Sequence, residues 1–439
     1  METRSRSAQK MNAKWKKLRK RLRLKLDHYP LAKSIFGFLW RNSRYYLAKV
    51  KGYINCFFIG LSIDIEKTYL ISPGDIVYSS LKEFNFTLFK GRVFSGHWDL
   101  LTKRFEDLDI HHAIKEVCLE GKNWEETFFY KNTIASLERG GICWGCENKD
   151  EFNNRCRSIE KLFLNIKNEG YKSQKELMDL GGGHTRLRLD DEIIVAIGRH
   201  GDLLFSDSAH RLSIAKCLGI KEIPVKVAVR HVQWVLFRKQ LLSFAQANPG
   251  KKTYQPLLHS DLADIPAFHN CEDRFSAIKN NLAARGKLLD IGANLGYFSH
   301  AFEKEGFDCI AVEMDRQILF FLEKLKRAQN RKFLIISESI LDWPGVEEQK
   351  FQVVLALNIF HHFLKNETDY NKFLVFLRKL KVKEMFFEPH VPEEEPMKDA
   401  YLNLNNSEFV NLIQENTGLK NSKFIYQAAD KRKIYKLWR

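Results

Sequence analysis

Two glycines and an acidic residue in the last third of the chain have the spacing of a nucleoside-binding turn. Residues 287–299 have the pattern of a strand, a turn containing Gly292 and Gly296, and the start of a helix. Glycines let the backbone approach a ligand closely, and a helix start offers free amide hydrogens. The next strand ends about twenty residues later at Glu313, where a carboxylate can accept both hydroxyls of a ribose. Asn294 replaces the middle glycine of a dinucleotide fingerprint, which leaves less room for a pyrophosphate and favours a nucleoside ligand.

Histidines and a glutamate follow the fourth and fifth strands of the same region. His361 and His362 come directly after the fourth strand, and Glu388 and His390 stand at the end of the fifth. A neutral histidine near pH 7 can remove the proton of a hydroxyl group. We expect His362 and His390 to be the first candidates for a general base, followed by His361 and Glu388. The alternative for each histidine is structural, with the ring capping a helix or bonding a neighbour.

These residues are positioned by an alternation of helices and strands that begins near Cys271. The pattern predicts a helix at 273–285, strands at 287–291, 308–313, 333–336, 351–357 and 383–388, and final strands near 423–428 and 432–438. Such alternation is typical of an α/β fold with a mostly parallel sheet covered on both faces. Ligands bind these folds at the carboxyl edge of the sheet, where the candidate residues lie.

The segment around Gly292 resembles motif I of class I S-adenosylmethionine-dependent methyltransferases, and the resemblance covers roughly residues 271–439. It implies a Rossmann-like methyltransferase sheet with an antiparallel last strand and S-adenosylmethionine as the cofactor. It also implies that Asp290 lies near the methionine amine, that the loop from Gly292 to Gly296 wraps the methionine and ribose, and that Glu313 binds the ribose diol. The other expected cofactor-binding positions are Asn294, Tyr297 and Asn358. In this family an acidic residue after the third strand contacts adenine. Ser337-Glu338-Ser339 occupies that position here.

The end of the fourth strand indicates the class of acceptor. Asn358-Ile359-Phe360-His361 is similar to the strand-four ending of small-molecule methyltransferases. It differs from the Asn-Pro-Pro-Tyr/Trp loop of amino-directed base methyltransferases, which disfavours methylation of a nucleobase nitrogen. We therefore expect the acceptor to be a hydroxyl on a sugar, a polysaccharide precursor or another small metabolite.

A second group of candidate residues lies at a predicted helix start in the middle of the chain. Asp207, Ser208, His210 and Arg211 follow a β-hairpin. Exposed amides together with two potential cations form an anion pocket, most naturally for phosphate. The alternative is a helix capped by Asp207, whose histidine and arginine bond local carbonyls.

Residues 190–231, which contain this group, resemble the ParB/sulfiredoxin-like fold, whose Gly-x-His-Arg box binds nucleotide phosphates. The resemblance implies an α+β domain with ATP or CTP, together with Mg, as candidate ligands. Ser208 occupies the glycine position of the box. Ala209 occupies the position of the reactive cysteine of sulfiredoxins, so the alignment excludes sulfiredoxin chemistry.

The basic residues are concentrated at the N-terminus. The formal net charge is +17 over 439 residues, yet residues 1–51 hold sixteen Lys and Arg against Glu2 and Asp27, so the rest is nearly neutral. Apolar residues at helical spacing in residues 14–61 predict basic amphipathic helices. Three interpretations stay open: packing on the protein's own domain, peripheral contact with an anionic membrane, and nucleic-acid binding, which the near-neutral body disfavours.

Cysteine usage and hydropathy predict a cytoplasmic protein. The eight cysteines are scattered rather than arranged as a disulfide framework. Cys143, Cys146 and Cys156 lack a fourth ligand at metal-binding spacing, so no metal is predicted. No apolar run approaches the ~18 residues of a membrane span, and no secretory signal is visible. If the basic arm contacts a membrane, we expect the inner face of the cytoplasmic membrane, where glycan precursors are assembled.

Four regions follow from these patterns: a basic helical arm (1–61), a ParB/sulfiredoxin-like α+β domain (62–245), a linker (246–270) and a methyltransferase domain (271–439). The expected function is S-adenosylmethionine-dependent O-methylation of a sugar, glycan precursor or small metabolite, with an upstream nucleotide- or phosphate-binding module. Two alternatives remain open. One is a bifunctional enzyme whose upstream domain is a kinase or nucleotide hydrolase, and the other is an RNA methyltransferase recruited by its basic arm.

Overall fold

The computed structural model describes residues 67–80, 91–100, 102–180 and 192–439. The predicted arm, and with it the expected membrane contact through residues 14–61, lies outside the described residues. Within the described ranges, no helix combines the length and the apolar character needed to cross a membrane.

The first half of the chain forms a mixed sheet, here called the N-terminal sheet, with helices packed around it. Its elements are β1 (Thr68–Ile71), β2 (Tyr78–Ser80), β3 (Arg92–Phe94), β4 (Thr102–Arg104), α1 (Asp109–Cys118), α2 (Phe128–Glu138), α3 (Lys149–Glu169), α4 (Gln174–Asp179), β5 (Ile193–Ile197), β6 (Leu203–Asp207), α5 (Ala209–Cys217), β7 (Ile223–His231) and α6 (Val232–Ala247). The strand order is β1-β7-β5-β6-β2-β4, with β3 also paired to β7. The predicted hairpin is β5–β6, whose strands pair antiparallel. Helices α1 to α3 pack around Phe152 and meet α5 at Ile214.

The second half forms a second sheet, here called the C-terminal sheet. Its elements are α7 (Cys271–Asn280), β8 (Lys287–Ile291), α8 (Tyr297–Lys304), β9 (Asp308–Val312), α9 (Arg316–Ala328), β10 (Leu334–Ile336), α10 (Gly345–Glu348), β11 (Phe351–Leu357), α11 (Glu367–Lys379), β12 (Val382–Glu388), α12 (Asn406–Thr417), β13 (Asn421–Gln427) and β14 (Lys433–Trp438). All seven predicted strands are confirmed to within about two residues.

The topology of the C-terminal sheet places a ligand-binding crevice at β8. The strand order is β10-β9-β8-β11-β12-β14-β13. Strands β8 to β12 run parallel, and β14 pairs antiparallel with both neighbours. The sheet is therefore mostly parallel with an antiparallel last strand, as predicted. Successive connections leave β8 in opposite directions, so the switch point of the fold lies between β8 and β11.

Residues 246–270, which the sequence predicts to be a linker, contribute side chains to the core of the N-terminal sheet. Helix α6 runs to Ala247, and the Pro249–Lys251 signal marks only a short turn. Leu257, Leu262 and Ile265 then join the same buried core as β5 and β7. The proline and glycine indicated a turn correctly, but these three spaced apolar residues bury enough surface to fix the segment.

Helices α6 and α9 join the two sheets through one shared core. Trp234 of α6 is buried together with Phe321, Leu325 and Ala328 of α9. The contact is close at Gly201, where a Cβ atom would come within 2.6 Å of side-chain atoms of Trp234 and Ala328. The two halves of the described chain are therefore packed together, because Phe321, Leu325 and Ala328 of α9 are buried in the same core as upstream residues.

Candidate functional site

A large cleft beside the C-terminal sheet lies at the carboxyl ends of β8, β9, β10 and β11. Its volume is about 720 Å³, and its walls include Gly292, Glu313, Ser339 and Asn358. A cleft of this size suits a drug-sized or nucleoside ligand. The strand ends predicted to carry the site therefore meet at one crevice, at the switch point of the sheet.

The glycine turn forms the floor of this cleft in a conformation that few side chains tolerate. Gly292 has φ +70°, and a Cβ there would come within 2.7 Å of the Ile359 side chain. Gly296 has φ +81°, and a Cβ there would collide with Leu322. Asn294 between them has φ +53°, a left-handed conformation for which asparagine is among the better-suited residues. Small residues are thus required for the backbone to pass this close to the cleft.

Glu313 stands at the end of β9 with its carboxylate held by backbone amides. One oxygen accepts the N–H of Asn294 at 2.9 Å, and the other accepts those of Met314 at 2.8 Å and Asp315 at 3.0 Å. These bonds orient the carboxylate between the glycine turn and the start of α9. Three of the about four acceptor sites of the carboxylate are thus occupied, and the remaining one, on the oxygen that accepts from Asn294, can accept a hydroxyl of a diol.

Asp290 lies behind the glycine turn rather than in the open cleft. It is 3% exposed, and its Oδ2 accepts the Ser299 hydroxyl at 2.7 Å. Burial raises the pKa of Asp290 to about 6 because removal from water disfavours the charged form. Asp290 lines a small inner chamber of about 30 Å³, together with Tyr254, Asn358 and Glu388.

Two asparagine side chains and one histidine offer buried polar atoms to the site. The Oδ1 atoms of Asn294 and Asn358 and the Nδ1 of His361 have no hydrogen-bond partner among the described residues. Buried polar atoms are almost always paired, so three orphans around one cleft indicate a missing ligand or ordered water. Asn358 has φ +54°, and strained backbone at a strand end is typical of binding sites. These residues fit a polar nucleoside cofactor such as S-adenosylmethionine.

Of the four general-base candidates, His361 and His362 reach the cleft. Their rings lie 4.1 Å apart between centroids, and both line the cleft wall. Desolvation lowers the pKa of both, to about 2 for His361. Both rings are therefore neutral near pH 7, which is the form that accepts a proton.

The other two candidates are held by structural partners. His390 is 1% exposed, and its Nε2 pairs with Asn403 Oδ1 at 3.0 Å. Because the Asn403 amide donates to the Pro392 carbonyl, its oxygen faces His390 and the Nε2 carries the hydrogen. Glu388 accepts Arg274 Nε at 2.7 Å. Burial raises the pKa of Glu388, and the guanidinium opposes that shift.

Several residues of the cleft were not predicted from the sequence. Tyr254 lines both the cleft and the inner chamber, and Glu394 and Arg432 form an ion pair of 2.8 Å at the cleft wall. Glu338 and Ser339, whose place after the third strand was expected from the sequence, also line the cleft. No local pattern marks Tyr254, because its partner Asn358 is 104 residues away in the sequence.

The candidate residues of the middle region, Asp207, Ser208, His210 and Arg211, contact neighbouring residues of the protein. Asp207 is the last residue of β6, and its carboxylate accepts the N–H of Ser208. The predicted cap is therefore wrong in detail, because Ser208, with φ 74°, occupies the N-cap position of α5. The His210 ring packs edge-on to Trp144 at 4.2 Å, and burial lowers the pKa of His210 to about 4.

The remaining cation of that group already has an acidic neighbour. Arg211 Nη1 lies 3.7 Å from a carboxylate oxygen of Glu192, which is 3% exposed. A neutral histidine and a partnered arginine weaken the electrostatic case for an anion pocket. The phosphate site at Asp207, Ser208, His210 and Arg211 stays a prediction.

Comparison with known proteins gave matches among solved structures. No family model matches the chain, and no curated protein matches it. The bifunctional kinase-methyltransferase WbdD is 16% identical over 45% of this chain and 46% of its own, with a TM-score of 0.37. A putative O-methyltransferase from Nostoc punctiforme is 16% identical over 38% of this chain and 56% of its own, with a TM-score of 0.31. An S-adenosylmethionine-dependent methyltransferase from Archaeoglobus fulgidus is 12% identical over 38% and 92%, with a TM-score of 0.30.

The chain thus spans less than half the length of WbdD. The solved structures named here are S-adenosylmethionine-dependent or putative methyltransferases, and they match 38–45% of this chain.

Proposed function

We propose that the protein is an S-adenosylmethionine-dependent methyltransferase whose donor binds in the cleft between Gly292 and Glu313. The observation that carries this proposal is the meeting of three features at one switch point. They are a turn whose two glycines leave no room for a Cβ atom, a strand-end carboxylate fixed by three amides, and orphaned amide oxygens beside both.

The chemistry of the walls matches the parts of this donor. Glu313 would accept a ribose hydroxyl, and the apolar side chains of Ile318 and Ile340 offer surface for adenine. Asn358 and Asp290, on the side of β8 and β11, would hold the charged amino-acid end. The carboxylates of Glu313 and Glu338 in the cleft, with Asp290 buried behind it, favour a cationic sulfonium donor and disfavour a dinucleotide pyrophosphate.

His362 is the residue that we assign to proton transfer. When bound, the donor supplies an electrophilic methyl group for in-line displacement by a nucleophile. His362 is exposed to the cleft and neutral near pH 7, so it can take the proton of an acceptor hydroxyl as the oxygen attacks. His361 packs against His362 and limits the orientations of its ring.

An uncharged hydroxyl acceptor fits the remaining walls of the cleft best. Arg432 is already paired with Glu394, so this wall presents little free charge to an ionic acceptor. A sugar, a glycan precursor or another small metabolite meets this requirement. Its hydroxyl needs a base of the type that His362 supplies.

Titration calorimetry with S-adenosylmethionine and S-adenosylhomocysteine tests the proposal. The wild-type chain should bind both, and Glu313→Ala should weaken both by at least about tenfold, because a charged hydrogen bond to the diol is lost. Glu313→Gln keeps the side-chain length and one acceptor oxygen, enough for the N–H groups of Met314 and Asp315, and controls for local unfolding. Glu348→Ala, exposed on α10, should bind like wild type. Absence of binding by the wild-type chain would refute the proposed function.

A further inference from the structure

One side chain from outside the C-terminal sheet borders the donor cleft. Tyr254 belongs to residues 253–269, here called the closing loop, which precede α7. We propose that Tyr254 binds the amino-acid end of the donor and that the N-terminal sheet holds it there. This inference rests on the proposed function and adds a donor-binding residue that lies outside the region resembling methyltransferases.

The closing loop is tied into one shape by its own hydrogen bonds. The Thr253 N–H donates to the Pro266 carbonyl at 2.9 Å, and the Phe268 N–H donates to the Thr253 carbonyl at 2.8 Å. The His269 N–H donates to the Tyr254 carbonyl, and the two rings pack edge-on at 4.5 Å. The backbone and ring of Tyr254 are thus fixed on one side, while 38% of the residue remains exposed.

Buried charges anchor this loop to the N-terminal sheet. Asp261 is 2% exposed and accepts Arg230 Nε of β7 at 3.0 Å. Trp234 Nε1 of α6 donates to the same carboxylate at 2.9 Å, and the Tyr69 hydroxyl of β1 donates at 3.2 Å. An ion pair in this setting costs several kcal/mol to break, so the loop moves with the sheet.

The same loop contacts both sides of the donor site. Gln255 Oε1 accepts the N–H of Tyr297, the first residue of α8 after the glycine turn, at 3.1 Å. The Tyr254 hydroxyl accepts Asn358 Nδ2 at 2.9 Å at the end of β11. The loop therefore bridges the two strand ends between which the amino-acid end of the donor would lie.

The polar atoms at Tyr254 complement an α-amino acid. Its hydroxyl oxygen accepts from Asn358, and in the described part of the chain no acceptor takes the hydroxyl hydrogen, which leaves one donor for a carboxylate. Asn358 Oδ1, on the same amide, has no partner among the described side chains and backbone groups and can accept from an ammonium group. One donor and one acceptor side by side match the two charged groups of a zwitterion.

The size of the inner chamber places the amino-acid end at Tyr254 rather than behind it. The chamber, at about 30 Å³, is far smaller than the open cleft, at about 720 Å³, so most of the donor must lie on the cleft side of Tyr254. Tyr254 lines both the chamber and the open cleft. The boundary between them is therefore where the zwitterion meets the protein.

A pair of ligands that differ only at this end provides the test. S-adenosylhomocysteine carries the amino-acid group, and 5′-methylthioadenosine keeps the adenosine and the sulfur but lacks it. Tyr254→Phe removes the hydroxyl and keeps the ring on His269. We expect it to weaken S-adenosylhomocysteine about fivefold, the usual value of one hydrogen bond, and to leave the affinity for 5′-methylthioadenosine unchanged. The Michaelis constant for the donor should rise about as much, with kcat nearly constant.

The matched control is Tyr401→Phe, a partly exposed tyrosine whose hydroxyl lies 3.5 Å from Glu367. It should alter the affinity for neither ligand. Equal weakening of both ligands by Tyr254→Phe, or no change in either, overturns the inference. A wild-type chain that binds neither ligand contradicts the proposed function itself, so the two failures are distinguishable.

Discussion

His361 and His362 differ in exposure although they are neighbours in the sequence. His361 is 6% exposed, whereas His362 opens into the cleft. His362 can therefore reach an acceptor in the cleft, whereas His361 packs against the His362 ring and supports it. His390, which the sequence ranks equally with His362, is instead locked to Asn403.

Replacement of His362 tests this division of roles. We expect His362→Ala to lower kcat by about 10²- to 10⁴-fold, the usual contribution of a general base, with donor affinity unchanged. Because the pKa of His362 is lowered, the wild-type rate should fall only on the acid side of the ordinary histidine range, where the ring becomes protonated. His112→Ala, on the exposed face of α1, is the control. An unchanged kcat contradicts the assignment, and steady-state kinetics across pH provide the measurement.

Asp290 links the site to pH through stability. Its pKa is about 6 in the fold and about 3.9 in an unfolded chain. The native state therefore binds more protons between these values, and stability falls as the pH rises through this window. Asp290→Asn should be more stable than wild type at pH 8, by up to about 3 kcal/mol, with the gain shrinking towards pH 4.

Urea unfolding of Asp290→Asn at several pH values measures this effect. Asp308→Asn, whose side chain is 73% exposed at the start of β9, should change little at any pH. A gain that is the same at pH 4 and pH 8 contradicts the explanation by burial. The same variant should bind the proposed donor more weakly, because the negative charge of Asp290 behind the amino-acid end is lost.

At the scale of elements, the glycine turn between β8 and α8 combines strain with close approach. Gly292 and Gly418 have nearly the same φ, +70° and +72°, but only at Gly292 would a Cβ meet other atoms. Gly292→Ala should cost about 1–3 kcal/mol of stability and reduce donor affinity, because the turn must shift away from Ile359. At Gly418, after α12, a Cβ atom would meet no neighbour, so Gly418→Ala has only the cost of a positive φ. It should leave donor affinity unchanged. Thermal unfolding and calorimetry on both variants separate the two effects, and equal donor affinities would rule out a steric role.

The elements that could be predicted from the sequence are those with local patterns. Alternating apolar runs and glycine turns located β8 to β14, and strand ends located Glu313 and His362 before any contact was known. The packing of the closing loop could not be predicted from the sequence, because its apolar residues are spaced irregularly and its partners lie in distant elements. The orientation of the His390 ring could not be predicted either, because it depends on a hydrogen bond to Asn403, which no sequence pattern links to His390.

At the scale of the whole molecule, the shared core predicts joint unfolding. Phe321 and Leu325 of α9 are 3% and 2% exposed within the core of the N-terminal sheet. Calorimetric unfolding of the full chain should therefore show one transition for both sheets. S-adenosylhomocysteine at a hundred times its dissociation constant should stabilise that transition by about 2.7 kcal/mol.

Hydrogen exchange measures whether ligand binding at the C-terminal sheet also stabilises the N-terminal sheet. We expect the ligand to slow exchange in β5 and β7 as well as in β8 and β9, because the closing loop and α9 connect them. Two separate calorimetric transitions, or protection confined to the C-terminal sheet, would show that the two halves unfold independently.

Helix α9 carries an implication for how such a protein can be re-engineered or can diversify. Its first turn supplies Ile318 to the cleft, while Phe321, Leu325 and Ala328 further along are buried by upstream residues. A chimera that joins residues 271–439 to a different upstream partner leaves these side chains facing a surface of the wrong shape. We therefore expect the two halves to be transplanted successfully only as a pair, and compensating substitutions to accumulate on both sides of this helix rather than along one domain.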